Sequence, residues 1–577
     1  MRTKLVHRPI LLPLLLSLSV PATAAQNEQT GTTHKHYDES PAAQMPGPQG
    51  ELAPRLQNLG DYVFPVSTRN TQAQAFINQG LKLSYAFNHA EARRAFREAA
   101  RLDPTLAMAY WGQALVLGPN INALMAPNEE PGALELVRKA ASLAATASPR
   151  EKALVDALLK RYSGDTEHRK VNDRAYADAM RAVHAQFPQD QDIAVLYVES
   201  MMDLRPWGYW MPDGQPHEGT AEIVALVEQV IARNPKHPGA LHLHIHLLEP
   251  TPTPERAERS ADTLLRLMPA AGHLVHMPSH IYQRVGRYAD AMQANQLAVA
   301  ADEDYLTQCR AQGLYPMAYY PHNIHFLWFS AMFDGQLAAA RDAGRKVANK
   351  IDDATLREMP MLAGFRVVPY WTLVRFGQWE EMLKEPAPPA GNAYLTGAWQ
   401  YARGQAFAAT GRLVEAKAEL AALEKTLQDP ALEQPLFSPN TARAILSVGA
   451  PSLAGEIAAA EQRFDDAVAH LELAVRLEEA LVYTEPSEWV LPPRHALGAV
   501  LLAAGRAGEA ENVFWQDLKR HRENGWALTG LLQALHAQNK AEMAAVVEKR
   551  LAAAWARADV KPGAARIGYN VAATARP

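Results

Sequence analysis

Between Ala73 and Pro104 the chain reads AQAFINQGLKLSYAFNHAEARRAFREAARLDP, and the spacing of its small residues leaves little choice of fold. Counted as one unit from Ala73, Gly80 stands at position 8, Ala92 at 20, Phe96 at 24, Ala99 at 27 and Pro104 at 32. A small residue at 8 lets a first helix cross a second closely. Small residues at 20 and 27 do the same from the second helix, and proline then ends it, because it has no N–H to give. The pairing of positions 8 and 20 recurs as Gly404 with Ala416, Gly455 with Ala467 and Gly498 with Ala510. Ala257, Ala291, Ala340 and Met382 fit position 20 of less regular copies, and the first two of these are 34 residues apart. From Thr71 onward apolar residues recur three and four apart, and no convincing strand run appears.

These positions resemble those of tetratricopeptide repeats (TPR). The resemblance implies an all-α fold, a TPR-type α-solenoid of antiparallel helix pairs, with insertions where the interval between repeats stretches beyond 34 residues. An unrelated helical bundle is the alternative. The expected organisation is a signal peptide at 1–25, a flexible proline-containing segment at 26–70, and partly degenerate repeats at 71–235. Histidine-rich repeats follow at 236–350, C-terminal repeats at 351–560 and a tail at 561–577. Between Met108 and Gly219 the repeats are too degenerate to register.

At the N-terminus Arg2, Lys4 and Arg8 precede an apolar run from Ile10 to Val20 and then Ala22-Thr23-Ala24. That order of charged, apolar and small residues predicts a secretory signal cleaved after Ala24 or Ala25. The apolar run is shorter than the ~20 residues that span a bilayer, so a retained anchor is the weaker reading. The expectation is an exported, periplasmic protein without a transmembrane segment after cleavage. A net charge of -5 offers no basic footprint, which predicts no nucleic-acid partner. One cysteine, Cys309, precludes an intramolecular disulfide. Without a Gly-rich phosphate loop, a GxSxG elbow, CxxC or CxxCH, the sequence also excludes motif-based nucleotide hydrolysis, elbow-type serine hydrolysis and c-haem attachment.

The stretch GALHLHIHLLE at 239–249 alternates like a strand, yet its place in the repeat puts it in a helix. With Ala257 at position 20, the unit starts at Pro238 and places His242 at 5, His246 at 9 and Glu249 at 12, with His244 on another face. The next unit starts at Gly272 and holds His273, His276 and His280 at 2, 5 and 9. A third, from Pro321, holds His322 and His325 at 2 and 5. At 100° per residue, positions 2, 5, 9 and 12 share an arc of ~80°. Eight of the twenty histidines fall between 242 and 325, on helices that line the concave surface of a solenoid. Rungs at equal positions are expected: 242, 276 and 325; 246 and 280; 273 and 322.

Imidazoles on neighbouring helices can reach one ion, so His242, His246, His276, His280 and His325, with His273 and His322, are candidate ligands for zinc or copper. Glu249 is the candidate general base or further ligand. Pro278 is expected to kink the second unit and to leave His273 and His276 in an extended turn. The alternatives are a histidine-lined groove that hydrogen-bonds a ligand, and repeat similarity without a site.

Other features have bland readings beside functional ones. The insertion LTQCRAQGLYPMAYY could lay Tyr315, Tyr319 and Tyr320 over the histidines, while Cys309 reads better as a buried free thiol than as a ligand. The aromatic turn MDLRPWGYWMP at 202–212 reads as gap filling more than as a pocket cap. Asn120 and Asn122 read as helix caps, and His34 and His36 as spacer or metal scavengers.

The segments YAFNHAEARRAF, AMAYWGQALVLGPNIN, GHLVHMPSHIYQRVGRYADA, YYPHNIHFL and YTEPSEWVLPPRHALGAVLLAAGRAGEAENVF resemble a group of exported bacterial TPR proteins. The resemblance spans roughly residues 70–560 and implies the fold. The functional expectation is a transition-metal site in the concave groove, hydrolytic or oxidative toward a small molecule if open. The other expectation is a non-catalytic scaffold for a peptide or partner protein.

Overall fold

The computed structural model describes residues 46–567, apart from 48–49, 212, 310–314 and 437–439. The expected signal peptide and the His34–His36 pair lie outside the described residues. Among those described, every regular element is a helix, and the only β pairing is three isolated bridges. No described helix is long and apolar enough to cross a membrane.

The repeat arithmetic is visible in the packing. Helix Thr71–Tyr85 is capped by Asn70, whose side chain accepts from the N–H groups of Gln72 and Ala73, and it pairs with helix His89–Leu102. Phe96 is fully buried, with its ring against Gly80 of its own repeat and Gly112 of the next, where any Cβ would collide with it. Phe514 sits in the same way between Gly498 and Gly530. The aromatic at position 24 thus fills the gap left open by the glycine at position 8 of its own repeat and a glycine at position 6 of the next. Gly455 meets Leu471 of its own repeat, whereas Gly404 meets Leu453 of the following one, so its close crossing is between repeats rather than within one. The degenerate stretch continues the pattern with helices Ala107–Leu115, Glu130–Leu143, Pro149–Leu158, Arg169–Gln186, Gln191–Met202 and Thr220–Arg233, each packed on its successor.

Three expectations are corrected. Residues 51–70 form no helix but are not a loose tether. Phe64 is fully buried and stacks on Trp111 at 6.1 Å, and the Leu52 N–H donates to Glu98 at 2.9 Å. Nor is the start of the expected tail free, since Ala565 is buried and Arg566 pairs with Glu456. The core also ignores the boundaries read from the sequence. One apolar cluster runs from Ala53 to Tyr319, a second from Tyr288 to Trp555, and a third from Ala458 to Ala565.

Pro278 behaves differently from the expectation as well. Helices Gly272–His276 and Pro278–Val285 are joined by Met277 in helical geometry (φ -51°, ψ -36°), and the Met277 N–H donates to His273 O at 3.0 Å. Proline occupies the first turn of the second helix, where a missing N–H costs little. His273 and His276 therefore stay helical rather than extended. The C-terminal repeats fold back onto this region: Trp526 donates to Met332 O at 3.1 Å and Tyr288 to Arg522 O at 3.0 Å. That return carries the 481–492 segment against His280.

Candidate metal centre

Helix Pro238–Leu248 starts where the repeat arithmetic places it, with His237 as N-cap accepting from the Ala240 N–H at 3.2 Å. Six imidazoles from three repeats then form one continuous cluster. His242 and His246 have ring centroids 4.8 Å apart, and His273 lies 5.0 Å from His242. His276 lies 5.7 Å from His273, 4.7 Å from His280 and 4.8 Å from His322, and His246 approaches His280 at 5.7 Å. The rungs are staggered rather than level. Position 5 of one repeat meets position 2 of the next, so the cluster resolves into two triads of one design: His242, His246 and His273, then His276, His280 and His322. In each, one nitrogen per residue lies within 4.8 Å of the others.

His325 does not join either triad. Its ring stacks on Trp328 at 5.1 Å and meets Phe365 edge-on at 5.5 Å, and burial pulls its pKa down to about 3. It is a packed neutral histidine. The expected rung of 242, 276 and 325 is thereby replaced, and His244 faces away as expected, with Nδ1 2.9 Å from Ser260 Oγ.

The first triad is electrostatically incomplete. His242 Nδ1 donates to the Tyr85 carbonyl at 2.7 Å, and His246 Nδ1 donates to Glu249 Oε1 at 2.8 Å. Those bonds turn both Nε2 lone pairs inward, where neither has a partner, and both nitrogens of His273 are also buried without one. Burial holds all three histidines below their usual pKa, and neighbouring imidazoles add to the effect at His242 and His273. Neutral rings with converging lone pairs repel, and each unsatisfied buried nitrogen costs about 1–3 kcal/mol. A cation at ~2.0 Å from each nitrogen would convert that cost into bonds. Tetrahedral ligation sets nitrogens ~3.3 Å apart, so the triad needs only modest closure to take an ion.

In the second triad His276 and His280 are satisfied without one. Burial alone would lower His280, but Glu249 and Glu485 hold it up to about 9. Its Nδ1 donates to Glu249 Oε2 at 2.5 Å, with Glu485 at 3.4 Å. Its Nε2 donates to His276 Nε2 at 2.8 Å, and His276 Nδ1 donates to Asn295 at 2.7 Å. A proton occupies the line along which two ligands would face an ion. Glu249 joins the triads through its two oxygens. Burial would raise its carboxyl, yet His280 and His246 pull it down to about 2. Fully buried and engaged on both sides, it positions histidines; the general-base role expected of it does not fit.

The triads do not line an open groove. Phe87 covers the first, with centroids 4.5 Å from His242 and 5.5 Å from His273, and Tyr319 meets His273 at 4.8 Å. Trp207 stands edge-on to His246 at 5.1 Å. Phe326 covers the second at 4.4–4.8 Å from its three rings. Phe87 (φ 55°) and Trp207 (φ 63°) both adopt the left-handed backbone region, which costs a bulky residue on the order of 1 kcal/mol or more. Trp207 is 38% exposed, which makes it the solvent side of the enclosure.

The aromatic turn at 202–212 thus does more than fill a gap, and its Trp207 also donates to Asn122 at 3.2 Å. Asn120 and Asn122 cap no helix; they shape the turn closed by the Asn120–Ala123 bridge. The Tyr315 hydroxyl accepts from the His273 N–H at 3.1 Å and donates to Asp302 at 2.8 Å, so the insertion does reach the histidines. Cys309 is buried away from both triads, and burial pushes its thiol pKa up. Sequence reasoning missed Phe87 and Glu485, and it placed Trp207 only within a turn read as gap filling more than as a pocket cap. Glu485 lies over two hundred residues from His280 in the chain, and only the returning repeats bring it close.

No protein-family model matches the chain, and no curated protein matches its sequence. Among solved structures, the chain is similar to the Cut9–Hcn1 hetero-tetramer of the APC/C, at 13% identity over 84% of this chain and 74% of that one, with a TM-score of 0.29. It is similar also to the human IFIT1 dimer with m7Gppp-AAAA, at 12% identity over 85% and 91%, with a TM-score of 0.31. The P58(IPK) TPR domain matches at 12% over 82% and 99%, with a TM-score of 0.22. Likenesses this distant carry no argument, and the TPR-type solenoid rests on the helix pairs and glycine crossings of the chain itself.

Proposed function

We propose that this protein is an exported TPR solenoid that holds a transition-metal ion, zinc or copper, between His242, His246 and His273. His276, His280 and His322 form a second, weaker seat. Glu249 orients one ligand of each triad, the carboxylate-to-histidine support that metal sites commonly use. One observation carries the reading: four imidazole nitrogens of the first triad are buried together without any hydrogen-bond partner. Imidazole donors suit zinc and copper alike. The aromatic enclosure favours an ion that is held over one that turns over a large substrate, and Trp207 is the point of entry.

The scaffold reading, in which the histidines hydrogen-bond a peptide along a groove, needs ring nitrogens facing solvent. Of the six, only His322 is not fully buried. Metal analysis of chelator-stripped protein reloaded with zinc or copper tests the proposal. The expected result is about one tightly held ion, a raised melting temperature, and loss of both on His242→Ala or His273→Ala. Failure to retain either metal above the level of those variants would leave the solenoid as a scaffold.

A further inference from the structure

Helix Tyr288–Cys309 carries no triad histidine, yet it packs on the three helices that carry His273, His276, His280 and His322. Ala291, Asn295, Ala298 and Asp302 recur four, three and four residues apart along it, so they share one face, and none is more than 1% exposed. The alanines stand at positions 20 and 27 of the repeat, where close crossings demand small residues. The other two break the apolar pattern of a buried stripe. Position 24, an aromatic as Phe96 and as Phe514, is here Asn295. A buried amide or carboxyl is costly unless it is hydrogen-bonded, so the partners of these side chains show what they hold.

Asn295 Oδ1 accepts from His276 Nδ1 at 2.7 Å, which leaves His276 Nε2 for the second triad. Asp302 reaches two more histidines, each through one intermediary. Its Oδ1 accepts from the Tyr315 hydroxyl at 2.8 Å, and that hydroxyl accepts from the His273 N–H at 3.1 Å. Its Oδ2 accepts from Asn323 Nδ2 at 2.7 Å, and Asn323 follows His322 in the chain. Gly272, just before His273, lies so close that any Cβ there would collide with Asp302 Oδ1. One carboxyl thus pins the backbone at His273 of the first triad and beside His322 of the second. Glu249 ties the two histidines at repeat position 9, and Asp302 ties the two at position 2. His273 depends on this most, because neither of its ring nitrogens has a partner and its ring is placed only by its backbone and by packing on Phe87 and Tyr319.

We infer, on the reading of the triads as metal seats, that Asp302 is a positioning residue for both, setting His273 through Tyr315 and His322 through Asn323. Asp302 touches no ion. It fixes where two ligands stand, and supports of this kind commonly set metal affinity by about 10–100-fold.

The test compares zinc affinity, by competition with a chromogenic chelator, and the electron paramagnetic resonance spectrum of copper(II)-loaded protein across four variants. Tyr315→Phe and Asp302→Leu should each weaken zinc binding by about 10–100-fold and shift the copper hyperfine splitting, because His273 is no longer held. Asp302→Asn keeps an acceptor for Asn323 and a partner for the Tyr315 hydroxyl, and should restore most of the affinity. Tyr162→Phe removes another buried hydroxyl bond, at 2.6 Å to the Ala114 carbonyl, and is the control. It should lower the melting temperature of metal-free protein and leave zinc affinity and copper spectrum as in the wild type. Tyr315→Phe is the mildest change at the site and decides the matter should Asp302→Leu fold poorly. Wild-type affinity and spectrum in Tyr315→Phe would overturn the inference, as would an equal loss in Tyr162→Phe or an Asp302→Asn as weak as Asp302→Leu. Wild-type protein that retains neither metal would instead overturn the metal reading, and the inference with it.

Discussion

The two histidine triads share a construction and differ in state. Each takes positions 5 and 9 of one repeat and position 2 of the next, yet the second is completed by a proton on His280 and by the carboxylates Glu249 and Glu485, while the first turns unpaired nitrogens inward. Repetition copies geometry. What surrounds the copy decides its charge: the 481–492 segment brings Glu485 only to the second triad, and Phe87 and Trp207 close only the first. The orphaned triad is for that reason the one at which a metal is proposed.

The largest effect should come from the residue the triads share. Glu249→Gln removes the charge that faces both His246 and His280, and breaking a buried ionic pair of this kind costs about 3–5 kcal/mol. Urea unfolding should show a loss in that range, with metal affinity at the first triad down about 10–100-fold. A change below ~1 kcal/mol would mean that the carboxylate does not hold the cluster together.

The contrast between the triads sharpens in metal-free protein. His276→Leu strips partners from His280 and Asn295 and should destabilise by about 2 kcal/mol, whereas His273→Leu removes two unpaired nitrogens and should be neutral or stabilising by about 1 kcal/mol. Loss of stability in both variants, by similar amounts, would break the distinction. In metal-loaded protein His242→Ala and His246→Ala should be non-additive by about 0.5–3 kcal/mol, because they empty one site. A double-mutant cycle on melting curves measures this. The smallest effects belong to His244→Ala and His325→Ala, which should leave metal content unchanged, since one faces Ser260 and the other packs on Trp328.

The register of this fold was legible because close helix crossings demand small residues at fixed intervals, and Gly80, Gly498 and Ala257 advertise them. That register put all six triad histidines on one face. It could not supply the axial offset between successive helices, which depends on how side chains interlock, so level rungs were expected where the rungs are staggered and His325 was counted as a ligand. Pro278 was overread, because a proline in the first turn of a new helix leaves its axis nearly intact. Phe64 and Leu52 show the opposite limit: a helix-free, proline-rich stretch gives no periodic sign that it packs. Contacts between distant repeats, such as that of Glu485 with His280, leave no local trace at all.

The first triad is the proposed seat of the metal, and locating an ion there is the most direct test. Crystals of zinc- or copper-loaded protein measured at the metal absorption edge should show an anomalous peak ~2.0–2.1 Å from Nε2 of His242, Nε2 of His246 and one nitrogen of His273. A fully loaded protein with no peak among these three residues, or with its only peak elsewhere, would contradict it.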